Sequence, residues 1–136
     1  MIKGFACGVF DLYHPGHVLM LRDCKKHCDH LTLALNRSEN FSDHINPGKR
    51  KPFFSLDERR LVMQSIKYVD EIIDYETEEE LTKIMLAGGF DLRFLGDDYQ
   101  GKPITAAKAI PRIIYLDRSH GYSTSELVRM IRTSKL

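Results

Sequence analysis

Apolar and polar positions along this chain switch repeatedly between a strand-like and a helix-like period, and the switches predict its elements. The run from Ile2 to Phe10 is mostly apolar, with Gly4 and Gly8 inside it, which predicts a buried strand. From about Gly16 to Cys28 the spacing becomes helical, carrying Val18, Leu19, Leu21 and Cys24. Leu31 to Leu35 reads as a second buried strand. Asn36 to Phe54 has no sustained period and contains Asn46-Pro47-Gly48-Lys49-Arg50-Lys51-Pro52, so it is expected to be a long loop, often a functional feature of a compact domain.

Ser55-Leu56-Asp57-Glu58 has the form of a capping box and opens a helix expected to reach about Ile66. Val69 to Ile73 is the third expected strand. Thr77-Glu78-Glu79-Glu80 is a second capping box, opening a helix through Leu81, Ile84 and Met85 that Gly88-Gly89 ends; its three glutamates read as a solvated helix start. Leu92 to Leu95 is a strand leading into Gly96-Asp97-Asp98-Tyr99, a short helix is expected near Ala106 to Ala109, and Ile113 to Leu116 is the last strand. Ser123-Thr124-Ser125-Glu126 then caps a final helix carrying Leu127, Val128, Met130 and Ile131.

Strands that alternate with helices predict an α/β protein with an open, mainly parallel five-stranded sheet and helices on both faces. There is no internal repeat, low-complexity tract or linker, and the 136 residues are expected to form a single domain. In such sheets ligands bind beyond the carboxyl ends of the strands, near the switch in strand order. The unusual segments all follow strands: Asp11 to His17, Lys49 to Lys51, Gly96 to Tyr99 and Arg118 to Thr124. They are expected to converge on one edge.

Composition narrows the partners. Hydrophobic residues make up 43% of the chain and charged residues 29%, an ordinary globular balance. A formal net charge of +1 provides no broad field to attract nucleic acid or an anionic membrane, so any anion site must be local. No apolar run approaches the roughly 20 residues that span a bilayer, and the start has no signal-peptide pattern, so no membrane insertion is expected and the cytoplasm is the expected compartment. Cys7, Cys24 and Cys28 show no disulfide-framework spacing, which fits a reducing environment. Cys24, His27, Cys28 and His30 could in principle hold zinc; the competing reading is a helix C-terminus whose cysteines pack inward.

Two constellations carry chemistry. In Gly8-Val9-Phe10-Asp11-Leu12-Tyr13-His14-Pro15-Gly16-His17, a strand hands over to a helix. Gly8 and Gly16 leave room for close approach, Pro15 suits the first helical turn, and free amides at that helix end favour a phosphate. His14 and His17 can face one point and donate hydrogen bonds to phosphoryl oxygens as charge redistributes. Surface decoration or a half-built metal site is the reading for such a pair without this context. The second constellation is Arg118-Ser119-His120-Gly121-Tyr122-Ser123-Thr124. Ser123 is the expected cap of the last helix, while Arg118 adds a forked cation and Thr124 a further hydroxyl, together a cradle for outer phosphates. Lys49-Arg50-Lys51 reads either as solvated surface or as a basic flap that compensates charge between two anionic substrates.

With these motifs, Arg59, Tyr68-Val69-Asp70-Glu71 and Gly96-Asp97-Asp98-Tyr99 in the same order, the chain resembles the cytidylyltransferase family of HxGH nucleotidyltransferases, most closely its glycerol-3-phosphate branch. The resemblance spans almost the whole length. It implies a Rossmann-like fold, attack of a substrate phosphate on the α-phosphate of CTP assisted by Mg2+, no covalent intermediate, no metal-ligating side chains and a homodimer. It also implies roles. His14 and His17 would stabilise the α-phosphate in flight. Arg118, Ser123 and Thr124 would hold the β- and γ-phosphates beside Ser119, and Asp98 would meet the ribose. Gly8, Val9, Phe10, Asp11 and Gly16 would shape the nucleotide-binding turn. Lys49 and Lys51 would act on the phosphates, with Lys51 and Arg59 also meeting the phosphorylated acceptor.

Lys67, Tyr99, His120 and Tyr122 depart from the glycerol-3-phosphate pattern, which bears on the acceptor and the base rather than on the phosphate chemistry. The alternatives are an adenylyltransferase of the same fold using ATP, and a non-catalytic nucleotide-binding sensor or assembly module.

Overall fold

The structure is a computed structural model that describes residues 1–37 and 51–134. Five strands, β1 (Lys3–Gly8), β2 (His30–Asn36), β3 (Glu71–Tyr75), β4 (Leu92–Gly96) and β5 (Arg112–Leu116), form one sheet in the order β3-β2-β1-β4-β5. Every pairing is parallel. The chain moves outward from β1 to β3, then returns to the other side of β1 to lay down β4 and β5. The strand order therefore reverses between β1 and β4, where an open α/β sheet places its ligand crevice.

Helices α1 (Pro15–His27), α2 (Leu56–Gln64), α3 (Glu78–Ala87) and α4 (Thr124–Thr133) make the crossovers and close the chain. Alternation along the strands divides the core in two. Ala6, Leu31, Leu33 and Leu35 face one way, against Leu21 and Cys24 of α1 and Met63 of α2. Phe5 and Ala34 face the other way, against Leu81 and Met85 of α3. Helices thus cover both faces, as the sequence predicts.

Several boundaries differ from expectation for local reasons. The first strand stops at Gly8 because the backbone turns sharply beyond it: Phe10 and Leu12 have φ of 53° and 49°. The third strand begins two residues late. Val69 N–H closes a turn onto the Ile66 carbonyl, and Asp70 accepts from Leu31 N–H at 2.8 Å, so the β2 ladder starts at Glu71. The second helix ends at Gln64, where Ser65 and Ile66 N–H fold back on Val62 and Met63. Residues 106–109 form a turn and not a helix, because Ala106 takes a φ of 51°.

The caps behave unevenly. Ser55 and Glu58 form the reciprocal box. Thr77 accepts from Glu80 N–H, but the Glu80 carboxylate turns to Arg37 at 2.8 and 3.0 Å and to Glu76 N–H. Ser123 likewise caps α4 alone, since Glu126 pairs with Arg129. Cys24 and Cys28 pack inward, with the Cys28 thiol donating to the Cys24 carbonyl at 3.3 Å.

Candidate active site

The exits of β1 and β4 and the entry to α4 meet at the crevice. At its centre the sequence builds an unusual helix cap from two histidines. His14 is the N-cap residue of α1, and its Nδ1 accepts from Gly16 N–H at 3.0 Å. His17, at the third helical position, accepts the His14 N–H on its own Nδ1 at 3.2 Å. Each ring therefore has Nδ1 unprotonated and carries its hydrogen on Nε2, so both are neutral single donors with a defined direction. His14 Nε2 lies 3.3 Å from Thr124 Oγ1, at the start of α4.

The environment keeps both rings neutral. The His17 imidazole is walled by three rings: His14 at 3.9 Å between centroids, Phe10 at 5.4 Å, and Tyr13 at 5.5 Å and nearly parallel. Burial chiefly, then the neighbouring His14 and Arg118, pulls its pKa down to about 3. The His14 pKa is also lowered, by burial first and then by His120 and Arg118. Beside His14 opens a hollow of about 470 Å³ lined by Tyr13, Pro15, Val18, Leu19 and Tyr122.

Arg118 enters from the segment after β5. It makes an ion pair with Asp98 at 3.3 Å, and Gly96 allows this approach: a methyl there would lie 2.6 Å from Arg118 Cδ and 2.4 Å from Asp98 Oδ1. Gly16 has a similar role, since a Cβ would fall 2.8 Å from His14 Cε1 and 2.9 Å from Tyr122 Cβ. The helix N-termini of α1 and α4 converge on the same place with their partial positive charge, which suits a polyphosphate.

The cytidylyltransferase-like family profile matches residues 5–130. The chain belongs to the cytidylyltransferase-like family. Among its relatives, glycerol-3-phosphate cytidylyltransferase of Bacillus subtilis (strain 168) is 32% identical over 93% of this chain and 95% of its own length. The bifunctional protein HldE of Gluconacetobacter diazotrophicus is 31% identical over 96% of this chain, which spans 27% of that protein. FAD synthase of Aciduliprofundum boonei is 34% identical over 69% of this chain and 64% of its own. A solved structure of the lipopolysaccharide core biosynthesis protein from Thermoplasma volcanium GSS1 superposes with a TM-score of 0.61 at 26% identity, covering 97% of this chain and 87% of that one.

In this cytidylyltransferase-like chain the sequence-expected residues divide into those brought together and those not. His14, His17, Gly8, Gly16, Asp98, Arg118, Ser123 and Thr124 lie around the crevice. Ser123 has its hydroxyl engaged by Glu126 N–H at 3.0 Å, and Ser119 has its own N–H and hydroxyl on Asp117 at 2.8 and 3.0 Å. Val9, Phe10 and Asp11 form the wall: the Val9 carbonyl accepts from Arg59, Phe10 packs on His17, and Asp11 is buried.

Lys49 lies outside the described residues. Lys51 is exposed, two residues before Phe53, whose N–H donates to Asp11 at 2.7 Å. Arg59, expected at the acceptor, is 3% exposed and donates to the carbonyls of Val9, Asn36 and Phe54. Burial of a guanidinium is tolerable only with such partners. Sequence reasoning missed the reciprocal histidine cap and the Tyr13 stack. The signal was present as His14 and His17 at the spacing of a capping box, with imidazoles in place of a hydroxyl and a carboxylate.

Proposed function

We propose that this chain transfers CMP from CTP to a small phosphorylated acceptor, with glycerol 3-phosphate the first candidate, giving CDP-glycerol and pyrophosphate. The supporting observation is the meeting of His14 Nε2 with Thr124 Oγ1 at 3.3 Å, which brings two helix N-termini and two neutral donors to one locus. The likeness to the Bacillus subtilis enzyme over nearly the full length of both chains favours glycerol 3-phosphate.

In this reading the acceptor phosphate attacks the α-phosphorus in line, and pyrophosphate leaves toward Arg118, Ser123 and Thr124. His14 and His17 donate through Nε2 to oxygens whose charge grows in the transition state, and their neutral state means neither must lose a proton first. Lys51 compensates charge as the two anions approach, with Lys49 assigned the same role, and Asp98 takes the ribose hydroxyls. The nucleotide enters as its Mg2+ complex, the ion travelling with the phosphates as part of the substrate. One domain, active as a homodimer in the cytoplasm, completes the reading; among the described residues no helix is long and apolar enough to cross a membrane.

A second reading follows from the relatives named HldE and FAD synthase: adenylyl transfer from ATP to another phosphorylated acceptor. Pyrophosphate release measured with each nucleotide triphosphate against a panel of phosphorylated acceptors separates the two. Turnover with CTP and glycerol 3-phosphate is the expected result. Turnover with ATP alone transfers the assignment to the second reading, and tight nucleotide binding without turnover on any acceptor leaves a binding module.

A further inference from the structure

Arg59 and Asp11 have no contact role in the chemistry just described, yet among the described residues they are two of the most buried charged groups, at 3% and 6% exposure. Arg59 Nη1 donates to the Val9 carbonyl at 2.9 Å and to the Asn36 carbonyl at 2.8 Å, and Nε donates to the Phe54 carbonyl at 3.2 Å. One guanidinium thereby ties the residue just past β1, the last residue of β2 and the residue two before α2. Asp11 completes the knot by accepting Phe53 N–H at 2.7 Å and Phe54 N–H at 3.0 Å on its two oxygens.

The tied backbone is strained. Phe10 and Leu12 both sit in the left-handed region, which residues with a Cβ adopt reluctantly. Without an external hold this turn would relax, and Phe10 would carry its ring away from His17, against which it packs at 5.4 Å. The three-way donation needs the planar fork of arginine; a lysine ammonium at the same depth lacks that geometry.

We propose that Arg59, together with Asp11, is a positioning residue that holds the turn 9–12 in its strained form and so sets the orientation of His17, rather than a contact to the acceptor. The catalytic part of this rests on the proposed nucleotidyl transfer. At 3% exposure the Arg59 side chain offers an acceptor phosphate almost no surface to touch.

The test compares Arg59→Met, Arg59→Lys and Asp11→Asn with wild type by pyrophosphate release, using Mg2+, CTP and glycerol 3-phosphate well below each variant's unfolding temperature. Side-chain 15N spectra of His14 and His17 are recorded on the same samples without substrate. Positioning predicts that kcat falls by about tenfold or more in both Arg59 variants while the acceptor KM changes by less than about twofold. It also predicts that the His17 nitrogen shifts move. A raised acceptor KM with kcat preserved overturns the proposal in favour of direct contact. A lower Tm with kcat per folded molecule and His17 shifts unchanged overturns it in favour of a merely structural role. Should Arg59→Met not fold, Asp11→Asn, which retains one acceptor oxygen, decides by the same criteria with a smaller effect expected. Should wild type release no pyrophosphate, the transfer reading fails separately, and the His17 spectra alone then support or overturn the hold.

Discussion

His14 and Thr124 are 110 residues apart in sequence and 3.3 Å apart in space, Nε2 to Oγ1. The contact links the N-cap of α1 to the first residue of α4, so that two helix N-termini share one locus. Because His14 Nδ1 already accepts from Gly16 N–H, the Nε2 hydrogen points at Thr124. A phosphate oxygen entering between them would accept from both groups.

Thr124→Val keeps the shape and removes the hydroxyl. A hydrogen bond to a charged group contributes roughly 1.5–3 kcal/mol, so the nucleotide KM is expected to rise about tenfold or more with little change in acceptor KM. Steady-state kinetics with CTP varied checks this. An unchanged nucleotide KM would remove Thr124 from phosphate binding.

His17→Ala removes one Nε2 donor and half of the reciprocal cap. The chemical rate is expected to fall by about a hundredfold or more, as for loss of a transition-state donor. Loss of the cap should cost about 1 kcal/mol of stability. Single-turnover kinetics and urea unfolding separate the two effects. His17→Gln, whose amide can still reach back to the His14 N–H, is expected to recover the stability more fully than the rate.

His17 also makes stability depend on pH. Its pKa in the folded chain is about 3, lowered mainly by burial, against about 6.5 when unfolded. Between those values the unfolded chain binds more protons than the folded one. The stabilisation is therefore complete above pH 6.5 and is lost as pH falls toward 3, at no more than about 1.4 kcal/mol per unit. The urea midpoint of wild type is expected to drop more steeply between pH 7 and pH 4.5 than that of His17→Gln. Parallel curves would show that burial of His17 does not set its protonation.

Gly96→Ala puts a methyl 2.6 Å from Arg118 Cδ and 2.4 Å from Asp98 Oδ1, closer than these atoms can stand. Both side chains can swing outward, so the fold is expected to survive while the cation leaves its place. Triphosphate affinity should weaken about tenfold, in line with loss of a charge-assisted pair. Calorimetric titration with CTP measures it, and wild-type affinity would place Arg118 outside the phosphate site.

The local pattern was enough to determine the strand and helix alternation, the parallel sheet it implies, and the two motifs that lead into α1 and α4. Those features depend on periodicity, capping residues and glycine placement, all of which act over a few positions. Other features were decided only by packing. The late start of β3 depends on the Asp70 carboxylate reaching Leu31, and the turn at residues 106–109 on the left-handed Ala106. The burial of Arg59 depends on three carbonyls from separate segments. The histidine tautomers follow from a hydrogen-bond ring that needs the helix to be formed first, and the His17 pKa follows from walls contributed by Phe10, Tyr13 and His14. A sequence states which groups are available; which carbonyl faces which guanidinium, and how much water is excluded from an imidazole, are set by distances between residues far apart in the chain.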